Sequence, residues 1–207
     1  MFEARNLEAI RGNATLFTGL DFTLRPGALL RVTGANGSGK TSLLRALCGL
    51  LLPSAGEVRW NGENIRSLRE EYWKCLVYIG HANAIKDDLT AAENLRIACT
   101  LAGLNVQLTQ IREALRRLGL AGRENLPARA LSQGQRRRAA LARLVLSRSA
   151  SLWILDEPFT ALDVAATDCV EELIAGHLAH GGAVVYTTHH EARIAAKAAT
   201  RIDLGGT

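Results

Sequence analysis

Lysine is scarce in this chain. Lys40, Lys74, Lys86 and Lys197 are the only four, so the net charge of +5 rests almost wholly on arginine. A mild basic excess suits nucleic acid or an anionic membrane surface. Here the arginines are scattered, a compositional bias rather than a patch, and no nucleic-acid partner is expected. Cysteine is as sparse: Cys48, Cys75, Cys99 and Cys169 form no C-x-x-C pair and have no metal-ligand spacing. Reduced, cytosolic thiols are therefore expected. No apolar stretch approaches the ~18–20 residues of a membrane span, and even Leu43–Leu52 is interrupted by Arg45. Met1–Arg5 lacks the apolar core expected of a secretory leader. The chain also carries no internal repeat, low-complexity tract or linker.

What is present has an ordinary globular composition, 48% hydrophobic with 22% charged. Its 207 residues suffice for one large domain, or for a core with a small inserted subdomain. Phe2–Ile10 and Thr15–Thr23 alternate as antiparallel strands about a turn at Gly12-Asn13. Ala28–Thr33, Glu57–Trp60, Cys75–Ile79, Leu152–Leu155, Ala183–Thr187 and Arg201–Leu204 read as further strands. Helices are predicted over Ser42–Leu52, Glu93–Thr100, Gln110–Leu118, Ser132–Leu146, Val164–His180 and Glu191–Ala199. Strand and helix alternate as in a parallel α/β core, with a helical insertion in the middle.

Between the strand at Ala28–Thr33 and the next helix stands Gly34-Ala35-Asn36-Gly37-Ser38-Gly39-Lys40-Thr41, which fits G-x-x-x-x-G-K-[ST] at every fixed position. Glycines let the backbone turn its N–H groups onto a polyphosphate. The helix start at Lys40–Ser42 adds unpaired donors and the positive end of its dipole. Lys40 can reach the β- and γ-phosphates, and the Thr41 hydroxyl can ligate Mg²⁺. Residues Gly34 to Ser42 are thus the expected binding site of a nucleoside triphosphate. An N-K-x-D motif is missing, which disfavours a GTPase.

Leu152–Leu155 reads as a buried strand ending in Asp156-Glu157, at the strand end where open α/β sheets place ligands. Asp156 can hold Mg²⁺, and Glu157 can polarise the water that attacks the γ-phosphate. Two solvated acids after a strand are common. Next to Lys40 and Thr41 the catalytic reading prevails.

Between these motifs lies Leu131-Ser132-Gln133-Gly134-Gln135. Ser132-x-x-Gln135 is a capping box, and the whole resembles the L-S-G-G-Q signature of ATP-binding-cassette ATPases, with Gln133 departing from the usual small residue. That resemblance spans essentially the whole chain. It implies a P-loop NTPase with a RecA-like parallel-sheet core of the ABC ATPase type, an antiparallel β subdomain and an inserted α-helical subdomain at about 86–148. The expected organisation is a single nucleotide-binding domain over 1–207. It also implies that Ser132, Gln133, Gly134 and Gln135 grip the γ-phosphate of ATP held by a second copy. Ala161-Leu162-Asp163 matches the family's D-loop, which links the two composite sites. Thr188-His189 stands where the family has its switch histidine, making His189 a γ-phosphate contact that orients Glu157, with His190 a lower-ranked neighbour.

Two departures stand out. The Q-loop glutamine position, after Val77-Tyr78-Ile79-Gly80, is occupied by His81, which can still bond Mg²⁺-bound or attacking water and joins the catalytic set. The adenine-stacking aromatic expected near Ile10–Arg11 is missing; either the Arg11 guanidinium stacks on the base or the base is loosely held.

The finer wording, Tyr78-Ile79-Gly80-His81, Leu89-Thr90, Glu93-Asn94-Leu95 and Trp153-Ile154-Leu155-Asp156-Glu157-Pro158-Phe159-Thr160-Ala161, is similar to the ATP-binding subunit of the haem exporter of cytochrome c maturation. This resemblance implies ATP and Mg²⁺ as cofactors and a homodimer sandwiching two ATP molecules. Integral membrane permease subunits would dock about His81–Leu95, at the cytoplasmic face of the bacterial inner membrane. The implied work is movement of haem or its release to a periplasmic chaperone. Direct haem binding is not expected: C-x-x-C-H is missing, and His177 and His180 read as a solvated helix face. An ABC transporter for another cargo is the alternative. A chromosome or repair ATPase would need a long coiled coil before the signature, but only 98 residues separate Gly34 from Ser132.

Overall fold

The computed structural model describes residues 1–188 and 193–205. Strands β1 (Phe2–Arg11) and β2 (Ala14–Leu24) pair antiparallel, as their alternation predicts, and β3 (Ala28–Thr33) runs into the glycine loop. Helix α1 (Lys40–Leu47) is shorter than Ser42–Leu52 suggested at its far end: Cys48 caps it and Gly49, at φ 72°, turns the chain away. Strands β4 (Ala55–Trp60) and β5 (Glu63–Asn64) follow, then two short helices that the hydrophobic pattern did not reveal, α2 (Ile65–Leu68) and α3 (Glu70–Lys74).

After β6 (Leu76–Ile79) come α4 (Ala91–Leu101), α5 (Leu108–Arg117), α6 (Gln133–Leu141) and α7 (Arg143–Leu146). The helix predicted over Ser132–Leu146 is divided at Ala142. That residue keeps right-handed helical angles, but Val145 N bonds Ala142 O rather than the carbonyl one residue earlier, a local tightening to three-residue closure. Strand β7 (Leu152–Leu155), helix α8 (Val164–Ala179), β8 (Ala183–Thr187) and β9 (Ala198–Asp203) complete the order. The helix expected over Glu191–Ala199 is corrected where described. Residues 193–197 are irregular, and Ala198 and Ala199 already pair with Ala28 and Leu29 in parallel. The free edge of β3 takes them as a strand, because a bare ladder edge leaves its N–H and C=O groups unpaired.

Two sheets result: antiparallel β2-β1-β4-β5 and parallel β6-β7-β8-β3-β9. Side chains alternate across the parallel sheet with period two. Leu30, Val32, Ile154 and Val185 enter a core shared with Phe2 and α1. Trp153, Leu155, Val184 and Tyr186 enter a second core packed on α4, α5 and α8. Both faces of β7 and β8 are covered, which is why those two strands read as apolar runs. Parallel pairing also puts the ends of β3, β6, β7 and β8 on one edge, and that edge carries the polar chemistry.

Candidate active site

The loop leaving β3 closes on itself. Gly39 is at φ 95°, and a β-carbon there would lie 2.9 Å from Leu16 Cβ, so only glycine lets the loop pass beneath β2. Leu43 N bonds Gly39 O at 2.8 Å, starting α1, and no acidic residue occupies the first turn of that helix to compete for its free N–H groups. Lys40 is buried, with Nζ donating to the carbonyls of Gly34 (2.7 Å) and Ala35 (2.9 Å).

Asp156 stands at the end of β7, 2% exposed. Thr41 Oγ1 donates to its Oδ2 at 2.8 Å and Thr187 Oγ1 to its Oδ1 at 2.7 Å. Thr187 also accepts from Glu157 N at 2.9 Å. Burial first, and then the Asp156 charge, push the Tyr78 hydroxyl and the Cys48 thiol upward. Glu157 itself is at φ 50°, a left-handed conformation costly for a residue with a side chain.

These groups meet in a cleft of about 440 Å³ whose walls include Asn36, Gly37, Lys40, Thr41, Asp156 and Glu157. Ser42, His81 and Thr160 also line it, and Arg11 and Leu16 stand at the β1–β2 side. Strand ends thus gather, within one chain, residues from positions 11 to 160. Among its described lining residues none comes from Ser132–Gln135. Those four open α6, where Ser132 Oγ accepts from Gln135 N (3.2 Å) and Gln135 Oε1 from Ser132 N (3.0 Å), the predicted capping box. Gly134 has an internal reason to be glycine: a β-carbon would lie 2.5 Å from Ala161 O. Asp163 caps α8 through Ala166 N at 2.9 Å and lies 3.7 Å from Arg138. His189 and His190 lie outside the described residues.

One expectation is overturned away from the cleft. His177 is not on a solvated face: it is 7% exposed and stacks on Trp153 at 3.9 Å with an interplanar angle of 5°. Burial holds its imidazole down at about pKa 4. His180 is exposed and bonds Gly176 O. Thr187 and Arg137 are site residues that motif reading missed. Thr187 ends a predicted apolar strand and Arg137 is the middle of three consecutive arginines; only the strand pairing and the packing of α6 bring them to Asp156 and Glu157, Thr187 to the Asp156 carboxylate and Arg137 to the two backbone carbonyls.

Residues 17–160 match the ABC transporter family. The chain belongs to that family. The cytochrome c biogenesis ATP-binding export protein CcmA of Nitrosomonas europaea is 59% identical over 191 residues, 92% of this chain and 89% of the relative. The protein of the same name in Escherichia coli K12 is 48% identical over 204 residues, covering 99% and 96%. A bacterial ABC transporter cassette solved as a dimer superposes with TM-score 0.85 over 99% of this chain and 95% of that one, at 22% identity, a likeness of fold. The ABC cassette thus accounts for the two sheets and for the helices between β6 and β7. Among the described residues, no helix is long and apolar enough to cross a membrane.

Proposed function

We propose that this chain is the ATP-hydrolysing subunit of an ABC transporter complex that powers haem export, or haem release to a periplasmic chaperone, in c-type cytochrome biogenesis. The observation that carries the cargo is 48–59% identity, over nearly the whole chain, to proteins named for cytochrome c biogenesis export. The nucleotide site is the 440 Å³ cleft.

In this reading Lys40 exchanges its two carbonyl partners for the β- and γ-phosphates, and Gly34–Ser42 present N–H groups to them. Thr41 and Asp156 would hold Mg²⁺. Their hydroxyl and carboxylate oxygens adjoin at 2.8 Å, a hard donor set of the kind this ion takes together with phosphate and water. When bound, Mg²⁺ neutralises phosphate charge. Glu157 accepts a proton from the attacking water, while His81, on the same wall, and His189 contact that water and the γ-phosphate. Arg11 and Leu16 flank the place of the base.

Ser132–Gln135 open outward from α6, apart from the cleft of their own chain, which supports a homodimer in which each copy's signature closes the other's ATP site. Asp163 joins the two sites. In the same reading 1–207 form one nucleotide-binding domain with a helical subdomain at about 86–148. An apolar groove of about 520 Å³ lined by Leu50, Trp73, Leu89, Ile97 and Leu101 suits a membrane subunit's helix and overlaps the expected docking stretch. The subunit would then sit peripherally at the cytoplasmic face of the inner membrane.

The test is deletion followed by haem staining of c-type cytochromes. Loss of staining, restored by the wild-type chain and not by Lys40→Ala, is expected. Intact staining overturns the haem reading and leaves an ABC ATPase for another cargo, to be identified by the membrane proteins that co-purify.

A further inference from the structure

Arg137 is a buried cation, 3% exposed, on the second turn of α6. Its guanidinium spans two chain segments. Nη1 donates to Gly80 O at 2.9 Å and to Asn83 Oδ1 at 3.2 Å, either side of His81. Nη2 donates to Asp156 O at 2.8 Å and to Glu157 O at 2.9 Å. Three of the four acceptors are backbone carbonyls, so the contacts do not depend on which side chains follow. Burying an arginine with no carboxylate in direct contact among the described residues is costly, and desolvation does pull its pKa down, offset in part by the nearby charges of Asp156 and Glu157. A cation kept there at such cost needs a compensating role.

The geometry supplies one. The backbone on both sides of Glu157 is pinned: its N–H by Thr187, its carbonyl by Arg137. Between those two bonds Glu157 is held at φ 50°, a conformation that persists only when its surroundings enforce it. The same planar fork grips the loop that carries His81. Arg137 lies two residues beyond Gln135 on a rigid helix, so the place of the signature end of α6 and the aim of Glu157 are mechanically joined.

We infer that Arg137 is a positioning residue that holds the Glu157 backbone and the His81 loop in hydrolytic geometry and ties both to the signature helix. The inference rests on the reading of Glu157 as the group that activates water. Lysine cannot replace it, because one ammonium on a flexible stem cannot bridge four acceptors in two segments.

The experiment compares Arg137→Ala, Arg137→Lys and Glu157→Gln with the double variant Arg137→Ala/Glu157→Gln. The full chain is used, alone or in its membrane complex, with ATP binding and single-turnover hydrolysis measured separately. Arg137→Ala is expected to lose about 10²-fold in turnover, the scale of an ångström of misplacement, with the ATP Kd within about threefold of wild type. Guanidinium ion at millimolar concentration should restore about tenfold, and methylammonium should not. In the Glu157→Gln background, removal of Arg137 should cost much less than it does in the wild type, leaving only the share exerted through the His81 loop, because its hold on Glu157 no longer matters. Wild-type turnover in Arg137→Ala, a parallel loss of binding and turnover, or an equal loss in both backgrounds would each overturn the inference. Should Arg137→Ala fail to fold, Arg137→Lys decides: a comparable loss supports positioning and wild-type turnover overturns it. Wild-type turnover in Glu157→Gln alone instead rejects the reading of Glu157, a separate result.

Discussion

Gly134 lies directly beneath the Ala161 carbonyl, so close that a β-carbon would sit 2.5 Å from its oxygen. The glycine of the signature is therefore demanded by the chain's own D-loop, whatever it does for a nucleotide. Gly134→Ala forces either α6 or the backbone at Ala161, itself at φ 62°, to shift. Overpacking of this kind costs about 1–3 kcal/mol, read as a lower urea midpoint at unchanged slope. An unchanged midpoint would mean the two segments separate freely.

In the proposed site Lys40→Ala removes a charge-assisted phosphate contact of about 1.5–3 kcal/mol. ATP should bind roughly 10- to 150-fold more weakly by equilibrium titration, and steady-state turnover should vanish. Normal ATPase activity would reject the cleft as the nucleotide site.

Glu157→Gln keeps the shape and removes the proposed base. With saturating ATP and Mg²⁺ it should accumulate as a dimer, seen by light scattering on a sizing column. A monomer under those conditions contradicts the two-copy site.

Thr187→Val deletes a hydroxyl that donates to Asp156 and accepts from Glu157. A buried carboxylate and a half-buried N–H lose a bond, at about 1–3 kcal/mol. Stability should fall, and turnover should fall further than ATP affinity, because the backbone N–H of Glu157 is released. Equal wild-type kinetics would show that Arg137 alone holds that peptide.

His177 gives a pH signature. Its pKa is about 4 folded against about 6.5 for a free imidazole, so the unfolded chain binds the extra proton first. Stability from this group is present above pH 6.5 and is lost as pH falls toward 4, by up to about 3 kcal/mol. His177→Phe, which keeps a ring against Trp153, should flatten that part of the stability profile. An identical profile in the variant would place the pH dependence elsewhere.

The glycine loop, the Asp156-Glu157 strand end and the Ser132-x-x-Gln135 cap were legible because each is local: strand, turn chemistry and helix start sit within a dozen residues. The helix expected across Glu191–Ala199 was not, since whether Ala198 and Ala199 join a strand depends on the open edge of β3, some 170 residues away in sequence. His177 misled for the same reason. Its helix shows no strong one-sided pattern, and its burial comes from Trp153 on β7. The helices α2 and α3 were too short for a period to declare itself.

Residue identity and order alone determined that this chain presents a phosphate loop, an acidic strand end and a signature of the ABC type, because those functions need fixed residue types at fixed short spacings. Tertiary structure alone decided that Thr41 meets Asp156, that Thr187 and Arg137 clamp the backbone around Glu157, and that the signature opens apart from its own cleft. The hydrogen-bonded relations among these join positions 19 to 115 residues apart, and only the pairing of β3, β8 and β7 and the packing of α6 against the ends of β6 and β7 bring them together.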